Sequence, residues 1–247
     1  MTAQSKPLQD QVLRLVNLVR ESFVPDSPTH DISHLARVAS LASQICSDEG
    51  GNQLVAISAS WLHDLHREAQ GEGGDFFVSP EQLDERAQDI LKCAGIPDDT
   101  HLRILEAIHY TDRFSFSDRS LYDTTIEAKA VRDADCLDAI GAIGIARAFS
   151  FGGAHNIPIW DGAALAEGGI YQQSERPAST IHHFYDKLLR VASQLETPTA
   201  VKLATSRHAY LRGFIDQFME ELHEDMNSVS WVDWTDWAGR PDPMPRT

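Results

Sequence analysis

The chain of 247 residues contains no run of about 18 apolar residues, so nothing in it reads as a membrane-spanning helix. Met1 to Gln11 has neither the basic start nor the apolar stretch of a secretory signal, and a soluble, cytoplasmic protein is expected. Cysteine is scarce. Cys46, Cys93 and Cys136 are odd in number, widely spaced and without a CxxC pair, so a disulfide framework is excluded and three small buried thiols are expected. Positive charge is short as well: 21 Lys plus Arg stand against 37 Asp plus Glu, a formal net charge of −16. Such a balance opposes binding to a phosphate backbone, which draws its affinity from Lys and Arg displacing counterions, so no nucleic acid polymer is expected as a partner. Alternating runs rich in Val, Ile and Thr are also missing, and with them the case for a β-sheet. What is present is 42% hydrophobic and 23% charged residues, enough to bury a core.

Helical spacing fills this gap, and an all-α fold is expected. A first helix spans about Leu8 to Phe23, with Val12, Leu15, Val16, Val19 and Phe23 on one face. The second starts near Ser33 and stops at Gly50-Gly51; its stripe is His34, Val38, Leu41, Ala42 and Ile45. A third, from Gln53 to Leu65, is apolar around most of its girth, yet ends in His63 and Asp64. Gly71 to Gly74 reads as a mobile loop. Ser79-Pro80-Glu81-Gln82 opens a helix that runs to Cys93 and is closed by Gly95, and another covers Asp99 to His109. Thr124 with Glu127 forms a capping box for one long helix reaching Phe149, with Gly141 and Gly144 inside it. Gly152 to Pro177 reads as a loop-rich excursion. Helices over Thr180 to Leu195 and from Pro198, capped by Thr197, to about His223 complete one domain of residues 1–225. In the tail, 226–247, Trp231, Trp234 and Trp237 recur at intervals of three, as indoles capping the domain's own core or, second, as a dimer contact or lid.

The chemistry lies where acids and imidazoles interrupt apolar helices. A buried Asp is costly unless a cation or several hydrogen bonds compensate it, and a neighbouring imidazole suggests that the cation is a metal. His63-Asp64 ends an apolar helix, His34 sits on an apolar face, and Asp135 has Val131, Ala134, Leu137 and Ala139 around it. If the three helices pack together, two imidazoles and two carboxylates converge into a site suited to a divalent ion.

These residues resemble the HD-domain superfamily of metal-dependent phosphohydrolases, and most of all a bacterial group of small HD hydrolases that includes nucleotide pyrophosphohydrolases. The resemblance runs through His30 to Val38, Trp61-Leu62-His63-Asp64, Thr124 to Lys129, Asp133 to Arg147 and His182 to Leu189, over roughly positions 8 to 222. It implies a helical bundle with its hydrolase core over about 25–150. It also implies a divalent metal, Mn, Fe, Mg, Zn or Ni, held by His34, His63, Asp64 and Asp135, with metal-activated water cleaving a phosphate ester or anhydride of a small molecule or nucleotide. Asp133 shares the motif and is given a structural role, accepting hydrogen bonds near the site.

Roles beyond the ligands are open at this level. Asp64 could orient the attacking water, and Glu68, one turn on, could act as general base or be a solvated side chain beside Arg67. Arg37, Arg147 and Lys187 are the cations for substrate phosphate, with a salt bridge to a neighbouring helix as the competing role of Arg37. Cys136 stands where many HD proteins carry a basic residue, and few cations follow Asp64, which favours a small substrate with little phosphate. His66, His101 and His109 raise the alternative of an HD-fold di-iron oxygenase acting on a small organic substrate. A homodimer is the one protein partner expected.

Overall fold

The computed structural model describes residues 5–22, 31–65, 80–111, 124–162 and 177–228. Among them the fold is all-α, with no strand. The order is α1 (Ser5–Ser22), α2 (Ile32–Glu49), α3 (Gln53–Leu62), α4 (Pro80–Ala94), α5 (Asp98–Thr111), α6 (Ile126–Asp138) and α7 (Gly141–Ala154). Then come α8 (Thr180–His183), a π-helical turn (Phe184–Leu188), α9 (Leu189–Val191), a 3-10 turn (Ala192–Gln194) and α10 (Pro198–Ser228). The glycine loop at Gly71 to Gly74, the three tail tryptophans, His66 and Glu68 lie outside the described residues.

Local chemistry sets the ends of the helices that carry the site. Asp31 caps α2 by accepting from the His34 amide at 2.9 Å, and Gly50 closes it in the left-handed region at φ 81°. Asn52 caps α3 by accepting from the Leu54 and Val55 amides. α2 packs most extensively on α3 and α6. The fully buried Ala42, Ala59, Ala130 and Ala134 along these helices are small enough for the axes to approach closely, while Val38, Ile45, Leu62, Val131 and Leu137 fill the space between.

Four expectations are corrected. The long helix from Thr124 to Phe149 is two helices, α6 and α7, bent by 70° at Ala139 and Ile140. Gly141 takes φ 77°, and a Cβ on Gly144 would lie 2.2 Å from the Ala139 carbonyl oxygen, so both glycines serve the break rather than a continuous helix. The cap of α6 is Thr125, whose hydroxyl accepts from the Ala128 amide at 3.3 Å, while Thr124 donates to Glu106. Cys93 is exposed, unlike the buried Cys46 and Cys136. Gly152 is helical, within α7.

Buried acids hold the bundle together away from the histidines. Glu127, 1% exposed, accepts from the Asn52 amide at 2.6 Å and from Arg103, joining α6 to the starts of α3 and α5. Asp133 accepts from the Glu196 and Thr197 amides and the Thr197 hydroxyl at 2.7 to 3.1 Å, fastening α6 to the N-terminus of α10. Asp133 thus accepts hydrogen bonds as expected, but its partners stand at the start of α10 and not among the metal-site residues.

Candidate metal centre

Four polar side chains from three segments meet where α2, the end of α3 and α6 pack. His34 and His63 are 0% and 3% exposed and Asp64 2%, whereas the Asp135 side chain is 34% exposed. His34 Nε2 lies 3.4 Å from Asp64 Oδ2 and 3.5 Å from Asp135 Oδ1. His63 Nε2 lies 3.5 Å from Asp64 Oδ1 and 4.0 Å from Asp135 Oδ1. The two rings meet edge-on, 5.4 Å between centroids. One ligand atom each from His34, His63 and Asp135 falls within 4.8 Å of the others. Asp64 faces one imidazole with each of its oxygens.

Both imidazoles are fixed from behind. His34 Nδ1 is 2.7 Å from Asp138 Oδ2, and His63 Nδ1 is 2.8 Å from the Ser60 carbonyl oxygen, which can only accept. The hydrogen of His63 is therefore on Nδ1, and its Nε2 lone pair points into the cluster. That buried Nε2 has no hydrogen-bond partner. A buried polar atom aimed at two carboxylates without a partner is costly, and a divalent cation among them satisfies it. Two nitrogen and two oxygen donors suit a borderline divalent metal.

The electrostatics agree with a cluster built for positive charge. Burial pushes the His34 imidazole down, but hydrogen bonds to Asp138 and Asp64 and the Asp135 charge prevail and raise it to about 9. Burial would raise Asp135; the facing His34 and His63 hold its carboxyl below the usual range instead. Without a metal, a proton on His34 supplies the missing positive charge.

The predicted cations divide. Arg37 directs Nε (2.6 Å) and Nη2 (3.0 Å) to Asp138 and Nη1 (2.7 Å) to Ser33, a salt bridge to the neighbouring α6. Arg147 Nη1 also binds Asp138, at 2.8 Å. Lys187 lies in the π-helical turn. Cys136 itself is inert: burial above all lifts its thiol to about 12. His101 Nε2 is bonded to the Ile96 carbonyl and His109 Nε2 lies 2.8 Å from Asp84; among the described residues the ligand group is His34, His63 and Asp135, and His66 lies outside them. Sequence reasoning missed Asp138, 1% exposed, although it sits in the same apolar helix whose surroundings singled out Asp135.

No family model matches the chain. It is 34% identical over 214 residues to the uncharacterized protein YpgQ of Bacillus subtilis, across 85% of this chain and 91% of that protein. A crystal structure of YpgQ in complex with ADP superposes with a TM-score of 0.64 at 28% identity, covering 87% of this chain and 96% of that one. A protein from Lactobacillus plantarum superposes with a TM-score of 0.70 at 31% identity, over 87% of this chain and 97% of that one. A crystal structure of an HD-superfamily hydrolase from Bacillus thuringiensis gives 0.64 at 30% identity, over 87% and 98%.

Proposed function

The chain belongs to the HD superfamily of hydrolases, and we propose that it is a metal-dependent phosphohydrolase that cleaves a phosphate ester or anhydride of a small molecule or nucleotide. The observation that carries this reading is the buried His63 Nε2, without a hydrogen bond and facing the Asp64 and Asp135 carboxylates beside His34. The ADP complex of the similar YpgQ supports a nucleotide among the substrates tried first.

His34, His63, Asp64 and Asp135 would hold the ion. A divalent metal there supplies Lewis acidity and a water of lowered pKa. His34 and His63 present Nε2 because Asp138 and the Ser60 carbonyl occupy Nδ1. Asp135 is the one of the four residues open to solvent, so substrate reaches the cluster across it. Lys187, in the π-helical turn, is the cation we propose for the remaining phosphate charge.

A phosphate-release screen over nucleotides and sugar phosphates with added Mn²⁺ tests the proposal, with Asp64→Ala as control. Turnover in the wild type and a loss of at least about 100-fold in the variant are expected. Wild-type turnover in Asp64→Ala would refute the site.

A further inference from the structure

We infer that Asp138 is the positioning residue of the metal centre and that Arg37 and Arg147 act through it rather than on substrate. The inference rests on the proposed metal-dependent reading. Asp138 lies three residues after Asp135 on α6, which brings the two carboxylates to one side of the helix. Only Asp135 faces the Nε2 atoms. Asp138 stands behind His34, and its four contacts are all to donors: His34 Nδ1 at 2.7 Å, Arg37 Nε at 2.6 Å, Arg37 Nη2 at 3.0 Å and Arg147 Nη1 at 2.8 Å.

Both oxygens are engaged by donors, Oδ2 by His34 Nδ1, Arg37 Nη2 and Arg147 Nη1 and Oδ1 by Arg37 Nε, which suits Asp138 to holding these groups. It is buried in the last turn of a helix, where the exposed carbonyl ends disfavour an anion. Two guanidinium groups offset that cost. Arg37 comes from α2, one turn after His34, and Arg147 from α7 across the bend. One carboxylate thus ties together α2, α6 and α7 at the point where His34 must be held.

The consequence for His34 is specific. With Asp138 held as a carboxylate by two arginines, the ring hydrogen sits on Nδ1 and the ring plane is set by a 2.7 Å bond. Nε2 is thereby left to face Asp64 and Asp135. A neutral or missing partner at position 138 frees the ring to turn and to change tautomer, and outer-shell changes of this kind weaken metal binding by about 10 to 100-fold. For the arginines the assignment separates two roles. A phosphate-binding arginine alters binding of substrate and not of metal, whereas one that holds Asp138 alters binding of the metal alone, with no substrate present.

The test is calorimetric titration of the chelator-treated full chain with Mn²⁺ at pH 7.5, for wild type, Asp138→Asn, Arg37→Gln and Arg147→Gln, with helicity checked by circular dichroism. Asp138→Asn is expected to bind Mn²⁺ about 10 to 100-fold more weakly while keeping its helical spectrum, and each arginine variant to bind more weakly than wild type. A merely structural Asp138 would lower the melting temperature and leave the Mn²⁺ affinity of the folded chain intact; affinity within twofold of wild type overturns the inference. Should Asp138→Asn fail to fold, the arginine variants decide, since unchanged Mn²⁺ affinity in both overturns it equally. A wild-type chain that binds no Mn²⁺, Fe²⁺ or Zn²⁺ overturns the metal-dependent reading and this inference together, whereas normal wild-type binding with normal variant binding overturns this inference alone.

Discussion

One added methyl group at the α6–α7 bend should reverse the usual effect of replacing a helical glycine. Ala exceeds Gly in a helix by about 0.5 to 1 kcal/mol, because Gly loses more backbone freedom on folding. Gly213, in the middle of α10 and exposed, has nothing within 4 Å of an added Cβ, so Gly213→Ala should gain about that much. Gly144 is different: its Cβ would stand 2.2 Å from the Ala139 carbonyl oxygen and 2.4 Å from the carbonyl carbon, both backbone. Relief requires α7 to move away from α6 by roughly 1 Å, an overpacking that costs about 1 to 3 kcal/mol or more. The clash outweighs the propensity gain, and Gly144→Ala should be net destabilised by about 1 to 2 kcal/mol, or roughly 2 to 8 °C in melting temperature at this chain length. The same shift draws Arg147 on α7 away from Asp138 at the end of α6, so Mn²⁺ affinity should fall with stability. Urea unfolding followed at 222 nm measures both variants. A Gly144→Ala chain as stable as wild type, or two variants shifting in the same direction, would refute the reasoning about the bend.

The other predictions concern protons and metal. Burial first and the Lys187 charge second depress the His183 imidazole from 6.5 to about 3, so the folded chain keeps it neutral. A depressed folded value means stability that is present above pH 6.5 and lost as pH falls toward 3. Allowing for partial solvent screening, the loss from pH 7.5 to 5 should be about 1 to 2 kcal/mol, and His183→Gln should remove it; equal urea-midpoint slopes in both chains would contradict this. Metal removal should be visible in stability as well: an ion present at 100 times its dissociation constant stabilises by about 2.7 kcal/mol, or roughly 5 to 11 °C. A melting temperature unmoved by Mn²⁺, Zn²⁺ or Fe²⁺ and by their chelation would count against any metal at the cluster.

The residues that were legible in the sequence are those whose chemistry contradicts their surroundings. His34 on an apolar stripe, His63-Asp64 ending an apolar helix and Asp135 among alanines and leucines each stand out without a structure, and the structure brings all four within reach of one another. Asp138 carries the same contradiction between Leu137 and Ala139, but a sequence gives no direction along α6, and two of its three partner residues, Arg37 and His34, are 101 and 104 residues away. For Arg37 the sequence leaves a substrate contact and a salt bridge to a neighbouring helix side by side; the structure shows the salt bridge, to Asp138 on α6. Helix existence followed from periodicity; the bend at Ala139 and Ile140 did not, because it depends on a left-handed Gly141 and on the carbonyl that Gly144 admits. Nor does the π-helical turn at Phe184–Leu188 leave a local signal, since its extra residue per turn answers to packing rather than to propensity.

The shortage of positive charge acquires a different meaning at the site. An acidic chain of net charge −16 disfavours anions at long range, yet attraction at a buried cluster is set by the charges within a few ångströms, where screening is weak. On the proposed reading, Asp64 and Asp135 neutralise a divalent ion. Asp138 carries one negative charge against the two positive charges of Arg37 and Arg147. The group is then left with one positive charge in excess. One positive charge in excess is less than a phosphate monoester dianion carries and far less than a triphosphate carries, so preference among substrates should decline as phosphate charge outruns that local balance.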